Sequence, residues 1–290
     1  SNDFKILDSV TKTSTTTFAS IAVASGKLEL SFNNNVAVTG ALELDDFKLE
    51  DTSGNAVGFL IPTISGGKVL IEKDESIDVA RTNSTLSGQT YSESSKYSTS
   101  GANLAFDNEF TTTGGGHSNH WHSSGTGTHY NTGSTHNYIG SGNHSTTVSG
   151  TAIAGEWIQV DIGQSVTLTK FIVEPSRTWN ARNPRKFTLA GSTNGSTWTL
   201  IRTVSGLEAT TWYDNSTWSN IGPYYNTYTG RYFRFIVEET INEIYTALGE
   251  LRLFGYTSAG SFTNTDYVIS YTKHATASRN IVKAGATSDA

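Results

Sequence analysis

The strongest constraint on the fold is a succession of short alternating segments broken by turn residues, with few candidate helices. Lys27-Leu28-Glu29-Leu30-Ser31-Phe32 alternates strictly between polar and apolar side chains, and Lys68-Val69-Leu70-Ile71-Glu72 does so in part. A period of two places every second side chain on one face, the pattern of a strand with one buried side. Ser53-Gly54-Asn55 and Ser65-Gly66-Gly67 lie between them and read as turns. Further strands are expected at Trp157–Ile162, Lys170–Val173, Phe187–Leu189, Trp198–Ile201, Arg231–Val237 and Glu250–Phe254. Strands this dense, without helical crossovers, predict an all-β chain of sandwiches or jelly rolls rather than a parallel α/β sheet. At roughly 100–200 residues per domain, 290 residues predict two domains.

Composition narrows the function classes. With 20 Lys+Arg against 26 Asp+Glu the net charge is −6, which argues against nucleic-acid binding through clustered cations. No apolar run approaches the roughly 18 residues that cross a bilayer. Cys is absent, which excludes disulfides, thiolate metal sites and a cysteine nucleophile. Met is absent too, the initiator included, so the chain reads as a processed or excised product that opens on a Ser1-Asn2 remnant. Only 16% of residues are charged, against about 25% in ordinary soluble domains, and the Ser, Thr, Gly and Asn content leans toward extracellular or virion-surface proteins. No His-Glu-x-x-His, Gly-x-Ser-x-Gly or phosphate-loop motif occurs. Asp45-Asp46 and Glu238-Glu239 are adjacent pairs, and neighbouring strand side chains face opposite sides, so neither pair serves as a joint acid and base. The chain is expected not to be an enzyme.

One stretch departs from the rest. Phe110 to Gly155 carries no charged residue, and six of the seven His fall between His117 and His144. Gly, Ser, Thr and Asn fill it, which reads as a long loop of the functional or disordered kind. His117-x-x-His120-x-His122 makes His117, His120 and His122 candidates for a transition-metal centre, since imidazole without thiolates suits Zn, Ni, Cu or Fe. The pattern is similar to the His- and Gly-rich tips of phage tail fibres, where His-x-His pairs bind iron. The other reading is a polar loop whose imidazoles and tyrosines, Tyr130 and Tyr138 among them, serve as surface hydrogen-bonding groups.

Six motifs between about Ser87 and Gly255 resemble the discoidin, or coagulation-factor type C, domain, whose sugar-binding relatives are the family 32 carbohydrate-binding modules. Ala105-Phe106-Asp107-Asn108 resembles the motif before the first core strand, and Trp121-His122-Ser123 the Trp-His-Thr/Ser step. Glu156-Trp157-Ile158-Gln159-Val160-Asp161-Ile162-Gly163 is similar to the strand that ends in Asp-Leu-Gly. Gly191–Trp198 resembles the Ser-x-Asp-Gly-x-x-Trp hairpin, with Asn194 in place of Asp. Gly230–Phe235 and Gly249–Gly255 resemble the two closing strands. The resemblance implies an eight-stranded jelly roll with ligand-binding loops at one end. It also implies a structural calcium ion held by Asp107, Thr112 and Glu250 with backbone oxygens of Leu104, Glu109 and Gly249, a donor set a hard cation accepts. For the sugar it implies His122, Arg177, Trp179 and Asn180 or Asn183, although Gly125 stands where the family carries an aromatic three residues after the His.

The flanking segments resemble a different unit. Leu28–Phe32, Leu44–Leu49 and Asn55–Gly58 are similar to bacterial immunoglobulin-like repeats of adhesins, and the closing strand of such repeats is matched late, by Asp266–Thr272. The expected domains are therefore 1–84, an immunoglobulin-like sandwich; 85–257, the jelly roll with insertion 111–155; and 258–290, strands that complete the first unit, with the jelly roll inserted between. The leading expectation is a non-catalytic, calcium-stabilised module that binds glycans on a cell or virion surface and serves adhesion. The alternative is a structural surface protein, a fibre, decoration or surface-layer piece, that packs against other copies or neighbouring virion proteins. Anionic-lipid binding lacks the apolar spikes and basic collar it needs.

Overall fold

The structure, a computed structural model, describes residues 3–6, 18–32, 36–38, 42, 44–82, 84, 86–109, 119–133, 135–140, 144–214, 216–258, 260–262, 267–271 and 281–283. Nearly every ordered element among them is a strand, and the one α-helix is the single turn Ala209–Trp212. The chain is all-β. It divides into two compact units, one of Ser1–Glu75 with Ala259–Ala290 and one of Ser76–Ser258.

In the first unit Tyr267–Tyr271 is the middle strand of a three-stranded sheet, parallel to Asp3–Ile6 and antiparallel to Phe47–Asp51. Phe18–Ala24, Lys27–Phe32, Lys68–Ile71 and Thr63–Ser65 form a four-stranded antiparallel sheet in that order. The alternation of Lys27–Phe32 works as expected: Leu28 and Leu30 are buried with Val69, Ile71, Phe47, Leu49, Ile269 and Tyr271 in one core. The polar faces of the same strands carry the ion pairs Lys27–Glu72 (2.7 Å) and Lys68–Glu29 (2.8 Å).

The second unit is built on two long strands, Glu156–Glu174 and Ile221–Thr240, paired antiparallel. The expected strands 157–162 and 170–173 are two parts of Glu156–Glu174. Register shifts after Asp161 and Leu168 bend it, and its two halves pair with different neighbours. The first half pairs with Thr90–Glu93 and the second with Glu250–Tyr256, while Pro184–Ser192 and Thr199–Val204 extend the sheet on the far side. Seven strands are joined in this sheet among the described residues. Ile158, Val160, Ile162, Leu168, Phe171 and Val173 point into the same core as Phe187, Phe233, Phe235 and Leu253.

The charge-free stretch is more structured than its composition implies. Ser145–Val148 and Thr151–Ala154 form a hairpin, and both turn residues have positive φ, Ser149 at 49° and Gly150 at 85°. Two such residues define the turn whose twist matches a hairpin. Arg234 fastens this hairpin to the sheet. Its guanidinium donates to Thr146 Oγ1 at 2.8 Å and to Gln159 Oε1 at 2.7 and 3.1 Å. It also lies over the Trp157 and Trp198 rings, at 4.0 and 4.3 Å from their centroids. Burial lowers its pKa to about 10, so it stays charged at neutral pH.

Two outcomes are expected. Arg234→Met keeps the length of the side chain but leaves the Gln159 and Thr146 acceptors unfilled, and chemical denaturation should report a loss of about 2–3 kcal/mol. A chain truncated after Ser258 loses the middle strand of the three-stranded sheet and the buried Phe262, Ile269 and Tyr271. Calorimetry should then show no cooperative transition from residues 3–75, and an unchanged transition would refute the dependence.

Candidate functional site

Trp121–His122 pairs with Ala247–Leu248 and sets the floor of a cluster built from four loops. Trp121 is fully buried and donates through Nε1 to the Ser95 carbonyl at 3.1 Å. His122, also buried, contacts the Ser123 carbonyl through Nδ1 and Arg182 Nη1 through Nε2, at 2.7 Å. A guanidinium only donates and a carbonyl only accepts. His122 is therefore the neutral tautomer with its proton on Nδ1, accepting from Arg182.

Arg182 gains its place from a local turn. Asn180–Arg182 is a 3₁₀-helix with Trp179 as its N-cap, and in such a turn side chains three apart eclipse. The guanidinium accordingly lies over the Trp179 ring at 4.3 Å, and over Tyr245 at 5.7 Å. The rings of His122 and His120 meet Trp179 edge-on at 5.4 and 5.0 Å. Tyr97, 39% exposed, stands 5.5 Å from the His122 ring. Its ring fills the space a side chain on Gly125 would enter, so Gly125 is where the cluster admits an aromatic from another loop.

Of the residues expected to face a sugar, the structure brings His122 and Trp179 together. Asn183 is buried and braces the loop backbone, accepting from Ser176 N at 2.7 Å, and half-buried Asn180 donates to the Ala209 carbonyl at 3.2 Å. Arg177 acts electrostatically on Glu174, whose carboxyl is raised by burial against the opposing charges of Arg252 and Arg177. Arg182, Tyr97 and Tyr245 are the members that sequence reading missed. The i, i+3 spacing of Trp179 and Arg182 was the available signal.

Among the described imidazoles of the charge-free stretch, His120 neighbours His122, and His129 and His144 approach one carboxylate. His117 lies outside the described residues. The His120 and His122 rings are 6.3 Å apart, and both nitrogens of His122 are already engaged. His129 is bound to Glu156, and His144 Nε2 lies 3.8 Å from the same carboxylate. Among the described residues no three metal-ligating side chains are grouped. In this arrangement both His122 nitrogens serve hydrogen bonds.

Asp107 and Glu250 form a separate pair. Asn108 takes a left-handed conformation (φ 62°), and its N–H donates to Glu250 Oε1 at 3.0 Å, while Asp107 Oδ1 accepts from Glu109 N at 3.0 Å. Burial first, then a hydrogen bond to Asp107 and its charge, push the Glu250 carboxyl up to about 10. Two carboxylates brought together with little positive charge suit a hard cation, and this donor chemistry fits calcium. Leu104, Glu109 and Gly249 flank the pair in sequence or pairing, and Thr112 lies outside the described residues.

Comparison with known proteins adds the following. Residues 88–250 match the F5/8 type C domain family. Among solved structures, the family 32 carbohydrate-binding module of C. perfringens NanJ, in complex with galactose, is 12% identical. That match covers 62% of this chain and 97% of that one with a TM-score of 0.39. A family 32 module from a family 31 glycoside hydrolase of Clostridium perfringens is 18% identical, with 63% and 95% covered and a TM-score of 0.38. A variant of chitosan-binding module 1 from the chitosanase/glucanase of Paenibacillus sp. IK-5 is 17% identical, with 62% and 100% covered and a TM-score of 0.38. No curated protein sequence matches the chain. The family match spans more than half of the 290 residues, and the protein belongs to the F5/8 type C, or discoidin, domain family.

Proposed function

We propose that residues 88–250 form a non-catalytic carbohydrate-binding module whose site is the cluster of His122, Arg182, Trp179, Tyr97 and Tyr245. The observation that carries this reading is the stack of Arg182 on Trp179 with Nη1 fixed on a neutral His122. That stack holds a planar donor fork in one orientation beside aromatic faces. Sugar hydroxyls take directional hydrogen bonds from such a fork, and the C–H face of a pyranose packs on an indole or phenol ring. Calcium held by Asp107 and Glu250 stiffens the neighbouring loops. The first unit is an immunoglobulin-like spacer, and the whole presents the site to glycans outside the cell, in adhesion at a cell or virion surface. No helix among the described residues is long and apolar enough to cross a membrane.

Glycan-array binding tests the sugar reading. Arg182→Ala and Trp179→Ala should each weaken binding by about tenfold or more, the value of one lost charge-assisted hydrogen bond or ring contact, while Arg177→Ala leaves it unchanged. A wild-type protein that binds no glycan overturns the proposal. For the ion, added calcium should raise the unfolding temperature by several degrees and EDTA should reverse the gain. Glu250→Gln should abolish that response and melt higher than wild type in EDTA, because glutamine needs no proton to stand beside Asp107. A calcium-independent wild type would refute the ion.

A further inference from the structure

Glu156 is the first residue of the 19-residue strand Glu156–Glu174 and has 0% exposure. Its two oxygens are used separately. Oε2 accepts from the hydroxyls of Ser94 and Ser95, the latter at 2.7 Å, and the Ser95 hydroxyl in turn accepts from Ser124 N at 2.9 Å. Oε1 meets His129 Nδ1, and the other ring nitrogen of His129 reaches the Thr126 carbonyl at 2.9 Å. The turn 124–126 is thereby hung from one carboxylate at both ends. Between the ends lies Gly125, whose carbonyl accepts from the Tyr245 hydroxyl at 2.9 Å and against which the Tyr97 ring packs. Tyr245 and Tyr97 are the two rings that flank His122 and Arg182 in the proposed sugar site.

Both nitrogens of His129 face acceptors, a carboxylate and a carbonyl, and only the imidazolium donates to both. We propose that His129, as an imidazolium latched to Glu156, is a positioning residue that holds the 124–126 turn and through Gly125 sets Tyr245 and Tyr97 for glycan binding, so that affinity falls when the imidazolium loses its proton. This rests on the sugar reading for its consequence, though not for the latch itself.

The groups around His129 are few. Glu156 is the charged one, His144 lies 3.8 Å from the same oxygen, and the Tyr138 and Tyr245 rings stand at 6.5 and 6.0 Å from His129. The Tyr130 hydroxyl, which accepts from Glu156 N at 3.3 Å, donates to the Val237 carbonyl at 2.9 Å. The Glu156 hydrogen bond, against burial, holds His129 above its ordinary 6.5. Burial raises Glu156, but the bonds from His129, Ser94 and Ser95 outweigh it and leave the carboxyl below its ordinary 4.5. Both shifts favour the ionised pair, the form that the two acceptors facing His129 require. Its contribution is lost as pH falls through the Glu156 value and as pH rises through the His129 value.

The test follows the whole 290-residue chain upward from about pH 6, below the ordinary histidine value. Three quantities are measured: the ring nitrogen signals of His129, the amide protection factors of residues 123–130, and glycan affinity. In wild type the ring should be doubly protonated at pH 7, and protection and affinity should each fall by about tenfold or more as it titrates. Glu156→Gln should show the loosened values at pH 7 with no inflection, and His144→Gln should keep the wild-type profile. A neutral His129 at pH 7, or protection that does not change with pH, overturns the latch, and the wild-type measurements decide even where a variant does not fold. A wild type that binds no glycan removes the sugar reading and leaves ring signals and protection to judge the latch.

Discussion

A carboxylate with no access to solvent has to be given its partners by the chain, and Glu156 is where this domain meets that demand. Burying an unpaired ion costs several kcal/mol, so every lone pair left empty there is a direct loss. The strand that begins at Glu156 cannot move aside, because its next residues carry the core through Ile158, Val160 and Ile162. The partners therefore come to it: Ser94 and Ser95 from the segment after Thr90–Glu93, and His129 from the long insertion. The carboxylate thus adds a polar tie between loops that Trp121 and Tyr130 anchor in the core.

Two other ionisable side chains in the same unit, half-buried Arg234 and buried Glu250, are handled differently. Arg234 has neutral acceptors and two indole faces, which satisfy a cation without cancelling it. It is complete as it stands and works as a fastener. Glu250 has one backbone N–H and a second carboxylate, so the chain has added like charge where it would be expected to add opposite charge. Complete, complete and incomplete is the order of Glu156, Arg234 and Glu250. The third is the one at which we propose a calcium ion.

What was legible in the sequence follows the range of the interactions. Strand periodicity is local, and Lys27–Phe32 and Trp157–Ile162 fold as their alternation implies. The hairpin at 145–154 was hidden by composition, because Ser, Thr and Gly read as loop. Yet its burial alternates, with Thr146 and Val148 inside, and Ser149-Gly150 is a recognisable turn. In the Gly191–Trp198 hairpin the substitution of Asn for Asp costs little, since the Asn194 amide oxygen accepts from both Ser196 N and Thr197 N at 2.9 Å. The site was legible only in part. Arg177 and Arg182 are alike in sequence terms, and what separates them is a single 3₁₀ turn that eclipses Arg182 on Trp179. Asp107 and Glu250 are far apart in the chain, and only the family resemblance joined them before the fold did.

The choice of histidine at 129 has its own physical reason, and it recasts the concentration of imidazoles in a charge-free stretch. A lysine offers one compact point charge on a flexible stem. An imidazolium offers two donors on opposite sides of a rigid ring, so a single side chain bridges the Glu156 carboxylate and the Thr126 carbonyl and fixes the distance between them. At His122 the same ring is used in its neutral form, one nitrogen donating and the other accepting from Arg182. Tyr245 stands between the two rings, 5.8 Å from His122 and 6.0 Å from His129. One residue type thus serves as acceptor for Arg182 on one side of Tyr245 and as the partner of Glu156 on the other. A residue of fixed charge cannot take both roles, and imidazole does so at His122 and His129.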